Sequence, residues 1–247
     1  MGLEISPVSN ERELETFLRV PALLRPENHI NKFPGRWVRP LLDRRKNPYF
    51  RHTDHQLLLA RREGRLVGRL AVFVDHLCNR ALHEKTGNFG LFDSINSPRV
   101  AARILEAGER WMAEHHVAMA RGPLGPALRL GTGVLVEGHG MPAMPGLTFD
   151  PPELGALIEG AGYSPQRDLH AYRAKTTNIP EDVMAAADEA RRQPGLTMRS
   201  FRKERLERDI ATIRDVINDL PGMGRSCAPW TEDEVKWMVR RLWMILE

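Results

Sequence analysis

The sequence predicts an α/β (α+β) protein in which helices flank a mixed, mainly antiparallel central sheet. Two apolar runs, 56–62 and 66–74, surround a Gly-containing turn and predict a β-hairpin. The segment 98–116 repeats apolar residues at helical spacing, after Ser97 as N-cap and Pro98 at the first helical position. Strands and helices that alternate along the chain are the basis of the fold prediction.

Shorter patterns predict the remaining elements of the first 177 residues. Asn10 precedes an apolar-periodic segment and is a suitable N-cap, with Glu13 three residues later. Gly162 follows a helical pattern and suits the left-handed residue after a helix. The predicted elements are strand 3–8, helix 11–24, a proline-rich loop 25–51, strands 87–93 and 117–121, helix 152–161 and a late strand 168–174.

The pattern begins again after Thr177. The predicted elements there are helix 180–192, strand 196–201, helix 204–220 and a last helix 231–246. Thr231 and Glu234 form a capping box at the start of the last helix. The strand-then-helix order repeats the opening of the chain and indicates an internal repeat.

This repeat predicts how the chain is divided. We expect a first domain over 1–177, a helical linker over 178–195 and an incomplete second half over 196–247. The apolar face of the last helix has no later element to pack on. We therefore expect either that the chain is a fragment of a longer protein or that a partner covers this helix.

Composition excludes several classes of protein. Of the 247 residues, 42% are hydrophobic and 28% are charged, which argues against a disordered tail and a membrane span. The first ten residues lack a signal-peptide pattern. The two cysteines, Cys78 and Cys227, suit a reducing compartment and form neither a disulfide framework nor a CxxC metal site. We expect a cytoplasmic protein without a metal.

Positive charge is concentrated in one part of the chain. Between Arg36 and Arg69 there are ten Arg or Lys residues against three Asp or Glu residues. Such a segment suits phosphates of nucleic acid, of an anionic membrane surface such as the inner membrane, or of a coenzyme. The alternative is an ordinary solvated surface. No helix-turn-helix, zinc-finger or RNP pattern is present, so the sequence does not favour nucleic acid.

The order of the predicted elements resembles that of the GNAT acyltransferases. The string Ala60–Gly68 is similar to the strand–turn–strand of that family, and Ala161-Gly162-Tyr163 is similar to its step into the final hairpin. Other strings resemble a subgroup of long, tandem GNAT-like proteins that includes the bacterial ceramide synthases, and the likeness covers nearly the whole chain. Those strings are 46–52, His83 with 86–92, 121–123 and 133–138.

The resemblance implies a function. It implies transfer of an acyl group from an acyl-CoA or acyl-carrier-protein thioester to an amine, with a sphingoid or other lipid amine as one candidate. Acyl-CoA or the carrier protein would be a co-substrate, and no metal would be needed. The alternative is a non-catalytic GNAT-like module that binds an acyl chain, an anionic membrane surface or a protein partner.

The resemblance also implies where the cofactor phosphates lie. They belong at the start of the helix that follows strand 87–93, which points to Ser97, Arg99 and Arg103. The family signature R/Q-x-x-G-x-G/A is absent there, since 96–101 reads Asn-Ser-Pro-Arg-Val-Ala. Either another part of the protein holds the cofactor or this half binds something else. Ordinary surface arginines are the alternative interpretation of Arg99 and Arg103.

Three residues are candidates for proton transfer in the implied reaction. His83 precedes the strand 87–93 and Asp93 ends it, so both are candidates for the base. Tyr172, in the expected late strand, is the candidate acid for the leaving thiolate. The alternatives are an exposed or structural histidine, a turn aspartate and a packed tyrosine.

Overall fold

The computed structural model describes residues 2–26, 35–125, 132–141, 150–172, 175, 177, 179–197, 199, 205–219 and 229–246. Its strands are β1 (Leu3–Pro7), β2 (Thr53–Arg62), β3 (Arg65–Asp75), β4 (Thr86–Ser94) and β5 (Met119–Arg121). Its helices are α1 (Glu11–Leu24), α2 (Gly35–Leu41), α3 (His76–Leu82), α4 (Pro98–Glu114), α5 (Leu154–Glu159), α6 (Glu181–Arg192), α7 (Leu206–Asp219) and α8 (Glu232–Leu246), with a 3-10 turn at Pro48–Arg51.

The five described strands form one sheet in the order β1-β2-β3-β4-β5. All neighbouring pairs are antiparallel except β4 and β5, which are parallel. The predicted hairpin is confirmed as β2 and β3, joined at the pair Arg62 and Arg65. Glu63 and Gly64 both have positive φ, as a two-residue hairpin turn that matches the strand twist requires. The mixed, mainly antiparallel sheet is therefore the one that the sequence predicted.

Helices cover both faces of the sheet, because β3 is apolar on both of its sides. Leu70 and Val72 belong to the core under α4 and α5, while Ala71 and Phe73 belong to the core under α1 and α2. Helix α4 approaches β3 closely at Gly108, where a Cβ atom would lie 2.6 Å from Leu70 Cδ2. A larger residue at this position would push α4 off the sheet.

Local capping is largely as the sequence predicted. Glu13 N–H donates to Asn10 Oδ1 at 3.0 Å at the start of α1. The Glu13 carboxylate also accepts from the backbone and hydroxyl of Ser9, at 2.7 and 2.8 Å. Gly162 has the expected positive φ after α5.

The predicted late strand is not found, and two short helices, α2 and α3, add to the predicted elements. Residues 164–172 form no regular strand in the structure, so the predicted strand 168–174 is not found, and positions 173 and 174 lie outside the described residues. The proline-rich loop contains α2 and the 3-10 turn, and α3 interrupts the stretch before β4. Helix α3 begins at an N-cap, since Asp75 accepts a bond from the Cys78 N–H at 2.9 Å.

The last helix packs on an earlier element of this chain. Val235 and Val239 of α8 are buried against Ile210 of α7. Helix α6 has no buried residues. The predicted strand 196–201 lies mostly outside the described residues.

Within the described residues, no helix is both long enough and apolar enough to cross a membrane.

Candidate active site

The sheet divides at one edge, where β5 separates from β4. The two strands pair only over Thr86–Asn88 and Met119–Arg121. A cis Gly122–Pro123 bond follows, and the Leu124 N–H then donates to the Phe89 carbonyl at 2.7 Å. Beyond that bond, no described strand pairs with this edge of β4. We call this point, after Asn88 and Arg121, the fork.

Strand β4 is irregular directly beyond the fork. The register with β3 passes from Gly90 opposite Ala71 to Asp93 opposite Arg69, which inserts an extra residue into β4. Leu91, inside this bulge, has φ of +46°. A bulge at a strand edge redirects backbone groups out of the ladder and is common beside active sites. The fork and the bulge thus involve neighbouring residues of β4.

Gly90 allows the chain to cross close to the bulge. A Cβ atom at Gly90 would lie 1.9 Å from the Leu124 carbonyl oxygen, which is a severe steric overlap. The segment after the cis bond therefore depends on a residue without a side chain at this point. This contact fixes how wide the fork opens.

The start of α4 follows β4 immediately, as the sequence predicted. Ser97 occupies the N-cap position but its side chain makes no capping bond, and Pro98 follows at the first helical position. The N–H groups of Arg99 and Val100 are therefore not capped by Ser97, and the helix dipole favours an anion there. The Arg99 side chain is exposed. Arg103, one turn further, is exposed and pairs with Glu106 at 2.9 Å.

Asp93 is buried at the end of β4 between two arginines. Arg69 Nε donates to Asp93 Oδ2 at 2.8 Å and Arg25 NH1 donates to Oδ1 at 2.9 Å. Arg69 also donates to the Phe17 carbonyl and stacks on the Phe17 ring at 4.9 Å. The interpretation of Asp93 as a turn residue is wrong, because it ties α1, β3 and β4 together. Its two carboxylate oxygens are already engaged, which leaves it poorly placed to accept a substrate proton.

The structure does not bring His83 to Asp93. His83 is an exposed residue with φ of +55° that ends α3, before β4 begins. Strand residues rise about 3.3 Å each, so Thr86 and Asp93 lie roughly 23 Å apart along β4. The two candidate bases therefore lie at opposite ends of the strand, and the bulge is much nearer to Asp93.

Tyr172 is not packed in the core. Its side chain is 90% exposed, in a segment without regular structure. Its ring contact in this region is with His170, at 6.4 Å between centroids. The structure does not place Tyr172 together with the fork, the bulge or Asp93.

A different tyrosine lies beside the fork. Tyr163, just after Gly162, packs edge-on against Phe89 with centroids 4.9 Å apart. Burial raises the pKa of Tyr163, and Glu109 nearby raises it further, so the phenol keeps its proton. Sequence reasoning used Tyr163 only as part of a fold motif. The available signal was a tyrosine at a position that packs in the core, because a buried tyrosine hydroxyl usually has a polar partner.

An acidic residue lies at the closed end of the fork. Glu84 accepts from both terminal nitrogens of Arg121, at 2.9 and 3.2 Å, and from the Thr86 hydroxyl at 3.0 Å. The bond from Arg121 holds the pKa of Glu84 below its ordinary value. Glu84 therefore remains ionised and fixes the last residue of β5 to the start of β4.

A second polar cluster joins the sheet to α8. His52 Nδ1 lies 3.0 Å from Asp75 Oδ1, and His52 Nε2 lies 3.4 Å from Glu234 Oε1. Burial alone would lower the pKa of His52, but the two carboxylates outweigh it and raise the pKa to about 9. His52 belongs to the string 46–52 that carries the subgroup resemblance. The structure shows it as a charged link between distant parts of the chain.

The nearby histidines do not assemble into a metal centre. His76 Nε2 lies 2.8 Å from Asp54 Oδ2 on the surface. Burial and, to a smaller extent, the nearby Arg44 lower the pKa of His55 to about 4. Among the residues that the structure describes, no group of three His, Cys, Asp or Glu side chains is arranged to hold a metal ion.

Two curated proteins resemble the chain along most of its length. Bacterial ceramide synthase of Caulobacter vibrioides is 29% identical over 255 residues, which covers 99% of this chain and 64% of the relative. Protein YghO of Escherichia coli is 27% identical over 237 residues, covering 93% of this chain and 59% of that protein. The chain thus spans less than two thirds of the length of these relatives. No protein-family model matches the chain.

From β1 to α5, the elements that the sequence predicted occur in the predicted order, with α4 between β4 and β5, and α2 and α3 are additional. This part of the chain includes the fork, the bulge and the start of α4.

The chain is also similar, at low sequence identity, to solved acetyltransferase structures. One is the ribosomal-protein-alanine N-acetyltransferase of Brucella melitensis, with a TM-score of 0.42, 13% identity, and coverage of 70% of this chain and 100% of that one. Another is the glucosamine-6-phosphate N-acetyltransferase of Arabidopsis thaliana, with a TM-score of 0.42, 10% identity, and coverage of 71% and 100%.

Proposed function

We propose that this chain belongs to an N-acyltransferase that moves an acyl group from a thioester to an amine. The donor is an acyl-CoA or an acyl-carrier-protein thioester, and the acceptor is a sphingoid or related lipid amine. The similarity to bacterial ceramide synthase along 99% of the chain supports this assignment. The open edge of β4 beyond the fork is the structural observation that carries it.

The reaction needs an oxyanion site, and the bulge suits this purpose. As the amine nitrogen bonds to the carbonyl carbon, the thioester oxygen gains negative charge. Backbone N–H groups that have left the sheet ladder at Leu91 suit this charge. A thioester laid along the edge of β4 would place its carbonyl beside them.

Two proton movements complete the transfer. The amine nitrogen loses a proton to water or to a base, and the C–S bond breaks as the amide forms. The departing thiolate takes up a proton. Because the raised pKa of Tyr163 opposes loss of its own proton, we assign its hydroxyl to a hydrogen bond that stabilises the thiolate while water supplies the proton, and its ring packs beside Phe89 at the fork whereas Tyr172 is exposed. Since both oxygens of Asp93 are engaged by arginines, we assign Asp93 to positioning β4 rather than to proton transfer.

The donor phosphates would bind at the start of α4. The uncapped N–H groups after Ser97 attract an anion, and Arg99 supplies positive charge at the same end. Pro98 removes one donor from this turn, so the site offers fewer backbone bonds than a glycine-rich loop would. Arg103 would contribute only after leaving Glu106.

Together with this function, we propose the division of the chain that the sequence predicts. Residues 1–177 form the GNAT-like domain, 178–195 the linker and 196–247 part of a second half. We also propose a cytoplasmic location with peripheral contact to the inner membrane, since a lipid amine would be presented there.

An activity assay tests the proposal directly. The 247-residue chain is incubated with long-chain acyl-CoA and sphinganine, and the N-acyl product is measured by mass spectrometry. Parallel reactions use an acyl-carrier-protein thioester and amines that are not lipids. Amide formation that requires both donor and amine supports acyl transfer. Absence of an amide with every donor and amine contradicts the proposal for this chain.

A non-catalytic GNAT-like binding module is the second candidate. The observation that favours it is the start of α4, where Pro98 stands and the glycines of the family signature are missing. Calorimetry with CoA separates the two candidates. CoA binding that weakens in Arg99→Gln supports the enzyme, whereas binding to acyl chains without CoA binding supports the module.

A further inference from the structure

A basic cavity lies between the segment 46–51 and α8, on different elements from the fork. Its volume is about 470 Å³, within the range of sites that bind small molecules. Two cations reach it from the first part of the chain and three from α8. They are Lys46, Arg51, Lys236, Arg240 and Arg241. Positive charges that are nearly two hundred residues apart in sequence thus converge on one concave surface.

The acidic groups near the cavity do not balance these cations. Asp233, which also lines the cavity, pairs with Arg51. Glu232 lies 2.6 Å from Lys236 but is shared with Arg214, at 3.3 Å. Asp43 lies 3.8 Å from the Lys46 amine, so three carboxylates face the five lining cations and two positive charges remain in excess.

The other cations that line the cavity are paired less tightly. Arg240 is exposed and forms no ion pair with any described residue. Arg241 lies over the Trp237 ring, 4.7 Å from its centroid, so its guanidinium is fixed at the wall by a cation–π contact. Lys46 is 79% exposed, and Asp43 is 3.8 Å from its amine. Like charges gathered on a concave wall repel one another, and an anion placed among them removes that cost.

We propose that this cavity binds a phosphate or diphosphate group. The planar guanidinium of arginine can donate two parallel hydrogen bonds to phosphate oxygens, and lysine ammonium groups add positive charge around them. The indole of Trp237 gives the site one flat apolar wall. The group can come from a soluble diphosphate or from an anionic lipid headgroup. The site does not depend on acyl transfer, because its residues lie outside the fork and the start of α4.

Titration calorimetry at low ionic strength tests the site with inorganic pyrophosphate as the probe. The Lys46→Gln/Arg240→Gln double variant removes two exposed cations, and we expect the Kd to rise about tenfold or more as charge-assisted bonds are lost. The matched control is Arg12→Gln/Arg62→Gln, which removes the same charge from exposed positions elsewhere. Its Kd should stay within about twofold of that of the unchanged chain.

A substitution that removes a negative charge, and should therefore tighten binding, strengthens the test. Asp233→Asn removes the acid that pairs with Arg51, so the Kd for pyrophosphate should fall severalfold. Thermal melting of each variant checks that the fold is kept. The proposal is overturned if pyrophosphate does not bind, if the two double variants weaken binding equally, or if Asp233→Asn weakens it.

Vesicles distinguish the two sources of phosphate. Phosphatidylcholine vesicles with and without phosphatidylglycerol are sedimented with each variant. Binding that needs phosphatidylglycerol, is lost in the Lys46/Arg240 double variant and is displaced by pyrophosphate identifies a lipid headgroup. Pyrophosphate binding without vesicle binding identifies a soluble ligand. Vesicle binding that is unaffected by the double variant and by pyrophosphate contradicts the proposed site.

Discussion

His52 and Glu234 lie 3.4 Å apart and join the central sheet to the last helix. Asp75 contacts the other ring nitrogen of the same histidine at 3.0 Å. Glu234 has a second role, since its carboxylate accepts from the Thr231 backbone and hydroxyl at the start of α8. The capping box that the sequence predicted thus also orients an acid toward a distant histidine.

This relationship predicts a pH-dependent stability. The folded pKa of His52, about 9, lies above its ordinary value of 6.5. The pairs therefore stabilise the fold fully below about pH 6.5, and this stabilisation is lost as the pH rises through 9. The upper limit is about 3 kcal/mol of unfolding free energy. Urea denaturation from pH 6 to 9.5 should show this loss in the unchanged chain and much less of it in His52→Gln.

The surrounding groups fix the limits of that pH window. Tyr49 packs against His52, and burial raises its pKa, so it stays neutral through the window. Burial would raise the pKa of Glu234, but the bonds with His52 and Thr231 lower it, so its contribution is lost only on acidification. His76→Gln is the matched control, because His76 is a half-exposed residue on the same surface. Equal pH slopes in His52→Gln and the unchanged chain would contradict the assignment.

Asp93→Asn should destabilise the protein strongly. The change leaves Arg69, which is 6% exposed, without its charged partner, and breaking one side of a buried pair costs about 3–5 kcal/mol. Equilibrium urea unfolding followed by circular dichroism measures this loss. Asp54→Asn is the control, because Asp54 is exposed and its loss should cost less than about 1 kcal/mol. Equal, small effects in both variants would show that the network adds no stability.

Gly90→Ala should disturb the fork. Its new methyl group would meet the Leu124 carbonyl, so the backbone after the cis bond must move, at a cost of about 1–3 kcal/mol. Gly155→Ala is the control, since the nearest atom to its Cβ, Val134 Cγ1, lies 3.9 Å away and alanine favours the helix. The free energy of unfolding should therefore fall in the first variant and stay equal or rise in the second. The reverse order would contradict the contact.

Tyr163→Phe should lower acyl transfer more than Tyr172→Phe does. Loss of the phenol hydroxyl removes the proposed hydrogen bond to the departing thiolate and should reduce kcat by roughly 10²-fold with little change in KM. Tyr172, exposed and distant from the fork, provides the matched control with the same chemical change. Steady-state measurement of the N-acyl product gives both constants. Comparable kcat values in the two variants would remove Tyr163 from the mechanism.

Prediction from the sequence succeeded where neighbouring residues decide the structure. The hairpin of β2 and β3 follows from two apolar runs and a short turn, and α4 follows from apolar spacing after Ser97 and Pro98. It failed at α3 and at 168–172. Helix α3 depends on an N-cap from Asp75, a residue that also ends a strand. The apolar residues at 168–172 suggested a strand, but they do not indicate whether a neighbouring strand is available to pair with it.

The sequence by itself determined the β2–β3 hairpin, helix α4, the caps at Asn10 and Thr231 and the likeness to GNAT proteins, because these depend on residues within a few positions of one another. Only the tertiary structure decided the partners of Asp93, the position of Tyr163 beside Phe89 and the meeting of His52 with Glu234. Such contacts join residues far apart in the chain. They depend on how the helices and strands pack and on which charged side chains are buried together. The local sequence pattern does not determine either of these.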